Sequence, residues 1–385
     1  MVNGPLWCYF YAMKYVDNEN PMASMRFSCT QVSPNSLVYG TEDDLRKGLS
    51  SIETYAKPER VFVQNNCSVS LLGDDVQGIA DQMDLPWPVY AMDSGGMKGS
   101  FEAGYSAASL RIEKEMKTKE KIPASVNVLG LSTVHMKGRE DAEEIRRLLS
   151  LCGIRVISMP GGGSNWDDIM GAPSASLNIV VRDELGLSLA KQMEQDFGTP
   201  YMSCGLPYGT DGTMAWLSEI IEKLRAGELT RASHEAAKLK EFLLRKGNNL
   251  ESLWGPLWFD AVLISAPPSE ALGIAETIRS EWIDTARLVI HAQCETKKST
   301  PAADAIRVVM KNEKEIAKDY EDWQGGLVLS SSHETHLLRR MGRSFTGFHI
   351  ALPSHDEVHF SDLPQCGLRG AGYLYEQLWN AKLRK

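Results

Sequence analysis

The chain has 385 residues, 43% of them hydrophobic, which is enough for two or three domains with buried cores. Its net charge of -9 argues against nucleic acid as a partner, since the basic residues fall on helical patterns mixed with Glu, as in "RIEKEMKTKEK". Seven cysteines (8, 29, 67, 152, 204, 294 and 366) without a CxxC pair argue against a disulfide framework. The lack of a basic leader or a long apolar run argues for a cytoplasmic protein with no membrane segment.

In chain order, short β-branched runs alternate with helical patterns, the signature of parallel sheets with crossover helices. Strands are expected at "SLVYG", "RVFVQ" and "WPVYAMD", with helices at "EDDLRKGLSSIETYA" and "FEAGYSAASLRIEKEM". The lysine-rich "KTKEKIPAS" reads as a linker. A second unit carries strands "SVNVLGL", "IRVISM", "SLNIVV" and "TPYMS", with a loop, "PGGGSN", after "IRVISM" and helices that end at glycine after the others. After the polar helix "TRASHEAAKLKEFLLRKG", a third unit carries "FDAVLISA", "ARLVIHAQ", "GLVLSS" and "FHIALP", closed by the helix "AGYLYEQLWNAKL". The expected fold class is α/β, with three tandem Rossmann-like domains at 1–118, 119–235 and 236–385, mostly parallel sheets and flanking helices.

Open α/β sheets hold their sites at the carboxyl ends of strands. Cys67 follows "VFVQNN" at such an end, just before "GDD", whose carboxylates suit a helix N-cap. Taken alone, Cys67 reads more readily as a small buried hydrophobe. "MPGGGSN" (159 to 165) serves as an anion-facing loop or as a plain turn. His333, His336, His355 and His359 are a candidate metal set in the third domain, set against the commoner surface and core uses of histidine.

"NGPLWC", with Cys8, and "NCSVSLLGDD", with Cys67, resemble two cluster-cysteine motifs of the nitrogenase component 1 superfamily, "HGPxGC" and "TCxxxxIGDD". The resemblance continues through "DSGGMKGSFEAGY", "FGTPYMSCGLPYGTDGTMAWL" and "LPQCGLRGAGYLYEQLWN", in the family's order and over essentially the whole chain. It implies that Cys8 and Cys67 are cofactor-binding metal ligands. The sequence given begins at the first motif, so the first of the family's three cluster cysteines is expected to be missing. Where the catalytic nitrogenase subunit has a cysteine that ligates its large cofactor, "NIVVRD" has Arg182. A guanidinium cannot act as a thiolate, which disfavours dinitrogen reduction on that cofactor. Cys366 falls at the place of the second ligand of that cofactor, a histidine; a packed cysteine is the alternative.

Two cysteines per chain imply a four-iron four-sulfur cluster (4Fe-4S) shared across a dimer interface, since such a cluster takes four thiolates and a two-fold axis duplicates each contact. Short homodimeric members that act on a nickel tetrapyrrole resemble this layout. The implied function is a nitrogenase-like or protochlorophyllide-reductase-like oxidoreductase subunit, in a homodimer or paired with a related subunit. It would receive electrons from an ATP-driven iron protein and reduce a small-molecule substrate such as a tetrapyrrole. Arg182 and Cys366 are the candidate catalytic residues, with Arg182 binding an anionic group of the substrate or, alternatively, pairing with Asp183 or another carboxylate as a structural tie. Two rival readings are a scaffold for metal-cofactor assembly and a cluster-free small-molecule binding protein.

Overall fold

The structure is a computed structural model that describes residues 1–20, 23–92 and 95–384. It divides into two compact units, Met1–Glu115 and Met116–Lys385. The expected 235/236 boundary lies inside one continuous helix, Thr230–Trp254, and the sheets on either side of it share one apolar core.

In the first unit, β1 (Val2–Asn3), β2 (Val61–Asn65) and β3 (Val89–Met92) form a parallel sheet in the order β1-β2-β3. The helix Glu42–Tyr55 starts with Glu42, Asp43 and Asp44, which suit the positive end of its dipole, and buries Leu45, Leu49 and Ile52 on one stripe. Those residues meet Val61, Val63 and Val89 of the sheet. The expected strand "SLVYG" is instead the short helix Ser36–Tyr39, with Val38 and Tyr39 exposed. Local capture explains the difference: the Ser33 hydroxyl accepts from the Ser36 N–H at 3.2 Å, and Gly40, at φ 106°, stops the turn. A short apolar run with no sheet face to bury gains nothing from extension. The expected strand at 87–93 extends to Met92; Asp93 and Ser94, which also open the glycine-rich segment, lie outside the described residues.

The second unit holds two further parallel sheets. β4 (Ile122–Leu129), β5 (Arg155–Ser158), β6 (Ala175–Val180) and β7 (Tyr201–Ser203) are ordered β5-β4-β6-β7. β8 (Trp258–Ala266), β9 (Asp284–Ala292), β10 (Ala305–Val308), β11 (Leu327–Ser330) and β12 (Thr346–His349) are ordered β10-β9-β8-β11-β12. Both orders reverse direction once, between β4 and β6 and between β8 and β11, and crevices open at the carboxyl ends of such switch points. Val126, Ile179, Ile264, Ile290 and Leu329 belong to one core. The helix Gly367–Leu383 packs on β12 and on the helices Gly138–Leu151 and Thr230–Trp254, tying the two sheets together.

Candidate functional site

In the first unit, β2 runs directly into the helix Cys67–Leu72, so Cys67 opens a helix rather than a loop. Asn66 is its cap, with the side-chain oxygen accepting from the Val69 N–H at 3.0 Å. The other end of the same amide donates to Cys8 Sγ at 3.3 Å. Cys8 lies in the first turn of the helix Leu6–Glu19, which follows Gly4 and Pro5. One side chain therefore contacts the Cys8 thiol and caps the helix that Cys67 opens, and both cysteines are exposed, free and at the amino end of a helix.

Two glycines make the approach feasible. A Cβ on Gly4 would stand 2.6 Å from Asn66 Cγ, and one on Gly96 would stand 3.2 Å from Cys67 Sγ. Beneath them, Asn3 donates to Asn65 at 3.0 Å and accepts from the Thr30 hydroxyl at 3.0 Å, fixing β1 on β2. The "GDD" pair divides its work. Asp75 caps the helix Val76–Asp81 by accepting from the Gly78 N–H, while Asp74 accepts from both the N–H and the hydroxyl of Thr41. Leu6, Trp7, Phe10 and Tyr11 around Cys8 are exposed, Trp7 at 67%. Two exposed thiols, one contacted by Asn66 and the other cleared by Gly96, with an apolar rim, are the donor type of half the ligand set of a four-iron cluster.

In the second unit, the structure brings Arg182 and Cys366 to one buried polar cluster. Arg182 leaves the end of β6 and is fully buried; its Nε donates to Glu270 Oε1 at 2.8 Å and its Nη1 to the Gly130 carbonyl at 3.2 Å. Glu270 comes from the first turn of the helix Pro268–Thr277, after β8, so the pair spans the two switch-point crevices. His135 Nδ1 lies 3.4 Å from the same carboxylate oxygen. Asp141 Oδ1 accepts the N–H groups of Gln365 and Cys366 at 2.7 and 2.9 Å, and its Oδ2 lies 4.0 Å from Arg182 Nη2.

The electrostatics follow from burial. Desolvation opposes the Glu270 charge, but Arg182 and His135 outweigh it and hold the carboxyl below its usual range. Desolvation also raises Asp141, to about 6, with Arg182 and the two N–H groups offsetting only part. The Cys366 thiol is pushed well up, first by burial and then by Asp141, so it stays protonated. Of the Arg182 donors, Nε goes to Glu270 and Nη1 to a carbonyl, the pattern of a structural tie, while the buried Nη2, 2.7 Å from the same Glu270 oxygen, has no aligned hydrogen-bond acceptor.

The sequence reading missed Asn66, which contacts the Cys8 thiol, although its place before an apolar helix was a capping signal. Glu270, Asp141 and His135 carried no local signal. "MPGGGSN" forms a tight turn leading into Asn165, which makes a capping box with Asp168.

Comparison with solved structures shows the class of fold. The chain superposes over its full length on 88% of the structure titled "Nitrogenase Cp1 at pH 6.5", with a TM-score of 0.75 at 16% identity. The family model described as Nitrogenase component 1 type Oxidoreductase matches residues 1–383, and the chain belongs to that family. It is 28% identical over 260 residues to the nitrogenase iron-molybdenum cofactor biosynthesis protein NifE of Clostridium pasteurianum, a match spanning 66% of this chain but only 54% of that protein. It is 23% identical to a light-independent protochlorophyllide reductase subunit of Chloroherpeton thalassium, over 92% of this chain and 69% of that one. It is 26% identical to the nitrogenase molybdenum-iron protein alpha chain of Methanosarcina barkeri, over 61% of this chain and 46% of that one. Among the described residues no helix is long and apolar enough to cross a membrane.

Proposed function

We propose that the chain is a nitrogenase-like reductase subunit whose Cys8 and Cys67, together with the same pair from a second chain, hold a 4Fe-4S cluster at a two-fold interface. The observation that carries this reading is the Asn66 amide, which donates to the exposed Cys8 thiol while capping the helix that the exposed Cys67 opens. When bound, such a cluster supplies low-potential one-electron transfer. The chain's own residues then have defined tasks. Asn66 donates a hydrogen bond to the Cys8 sulfur, an interaction that tunes cluster potential, and Gly96 keeps the space beside Cys67 clear. Trp7, Phe10 and Tyr11 exclude water once a second subunit covers them.

The electron donor in this reading is an ATP-driven iron protein, and the substrate an unsaturated small molecule; likeness to the light-independent protochlorophyllide reductase supports a tetrapyrrole. Likeness to NifE supports the second reading, a scaffold on which a metal cofactor is assembled. Reductive turnover with the iron protein separates the two. Anaerobically purified protein is expected to carry iron and broad visible absorption, lost in Cys8→Ala and in Cys67→Ala. Full iron content in the double variant overturns the ligand assignment, and a monomer with a complete cluster overturns the shared interface.

A further inference from the structure

Of the four histidines singled out in the sequence, His359 enters a constellation that the sequence did not suggest. It meets His349, the last residue of β12, and Glu357, and the ligating atoms of the three lie within 4.8 Å of one another. Glu357 Oε2 is 3.9 Å from both His349 Nδ1 and His359 Nε2. The Ser354 hydroxyl sits between the two imidazoles, 2.8 Å from His349 Nδ1 and 3.2 Å from His359 Nε2.

We propose that His349, Glu357 and His359 bind a divalent transition ion of the zinc type, with Ser354 or water as the fourth ligand. Two imidazoles and a carboxylate are a donor set such ions accept. Bonds of about 2.0–2.1 Å in tetrahedral geometry set ligand atoms roughly 3.4 Å apart, so a closure of about half an ångström of the 3.9 Å contacts completes the site.

The surroundings supply an independent argument. A metal-bound histidine commonly turns its other ring nitrogen to a carboxylate, which fixes the ring. His349 is 1% exposed, and its Nε2 lies 3.4 Å from Asp356 Oδ1 and 3.4 Å from the Thr335 hydroxyl. Asp356 is itself held by Arg339 and by the Ser332 hydroxyl, the latter at 2.8 Å. Glu357 is oriented as well, accepting the His349 backbone N–H at 3.0 Å. The ligands thus come from a strand end and from the segment 350–361 that follows it, so the ion would clamp that segment onto the carboxyl end of β12. His336 approaches Asp356 only from outside, at 3.6 Å, and His333 and His355 are not part of the set. No cysteine takes part, which makes the site independent of the thiol face.

The test uses the full chain with Cys8→Ser and Cys67→Ser, so that thiolates there cannot compete for the metal. After EDTA treatment and dialysis it is titrated with ZnCl2 by calorimetry and with CoCl2 by visible absorption. One equivalent of each is expected, and cobalt should give d–d bands without a sulfur charge-transfer band. Glu357 and His359 are 32% and 19% exposed at the side chain, so Glu357→Gln and His359→Gln should fold, as circular dichroism can check. Each is expected to weaken binding at least tenfold, and Asp356→Asn about ten- to a hundred-fold. Absence of stoichiometric uptake overturns the site, as does unchanged affinity in folded Glu357→Gln and His359→Gln.

Discussion

Replacing Arg182 with Met removes the charge that Glu270 faces while keeping much of the side-chain volume. In the structure Glu270 is buried, and the His135 ring nitrogen, at 3.4 Å, would remain beside it. Breaking a buried ion pair from one side costs about 3–5 kcal/mol, a large share of the roughly 5–15 kcal/mol that holds a folded chain. The loss should appear as a lower urea midpoint, followed by tryptophan fluorescence, because Trp216 and Trp379 are buried in the same unit. Adding Glu270→Gln removes the stranded carboxylate, so the double variant should recover about 2 kcal/mol or more. An Arg182 that served chiefly to bind substrate, with little structural share, would behave differently. A single-variant loss under about 1 kcal/mol, or strict additivity in the double variant, would refute the tie between the two crevices.

Asp141 links the same cluster to pH. Its folded pKa of about 6 lies above its ordinary 3.8, so the folded chain binds the extra proton and stability falls as pH rises from about 4 through 6. The cost of Asp141→Asn should therefore shrink between pH 5 and pH 8 in urea titrations; a growing cost would contradict the direction of the shift. Asn66→Ala removes a helix cap and the Cys8 contact together, and is expected to cost about 1 kcal/mol in the first unit and to lower iron content. Unchanged iron after anaerobic purification would detach Asn66 from the thiol site. Glu281 receives the N–H groups of Thr210, Asp211 and Gly212 and the Thr210 hydroxyl at the amino end of the helix Thr210–Leu224. Glu281→Ala is expected to cost about 1–3 kcal/mol by thermal or urea unfolding, and no loss would mean that water replaces the carboxylate.

The α/β class, the parallel sheets and nearly all strands of the second unit were legible from alternating runs, because a strand buried on both faces must be apolar along its length. "GDD" was legible as a cap for the same local reason, and Asp75 performs that role. Local pattern failed at "SLVYG", where a short apolar run found no sheet to pair with and a serine turn took the segment. The strand β10, half-buried at a sheet edge, was passed over although "AIRVV" carries a β-branched signal. Cys8 and Cys67 could be named from the motifs that carry the family resemblance, but the link from Asn66, beside Cys67, to the Cys8 thiol depends on β1 pairing with β2. Arg182 and Glu270 stand 88 residues apart, and neither position differs locally from an ordinary surface charge. Sequence determines which segments bury apolar surface. Only the packing of one sheet's carboxyl edge toward another's decides which charges lose their water and must find each other, since desolvation is a property of the assembled unit and not of any residue within it.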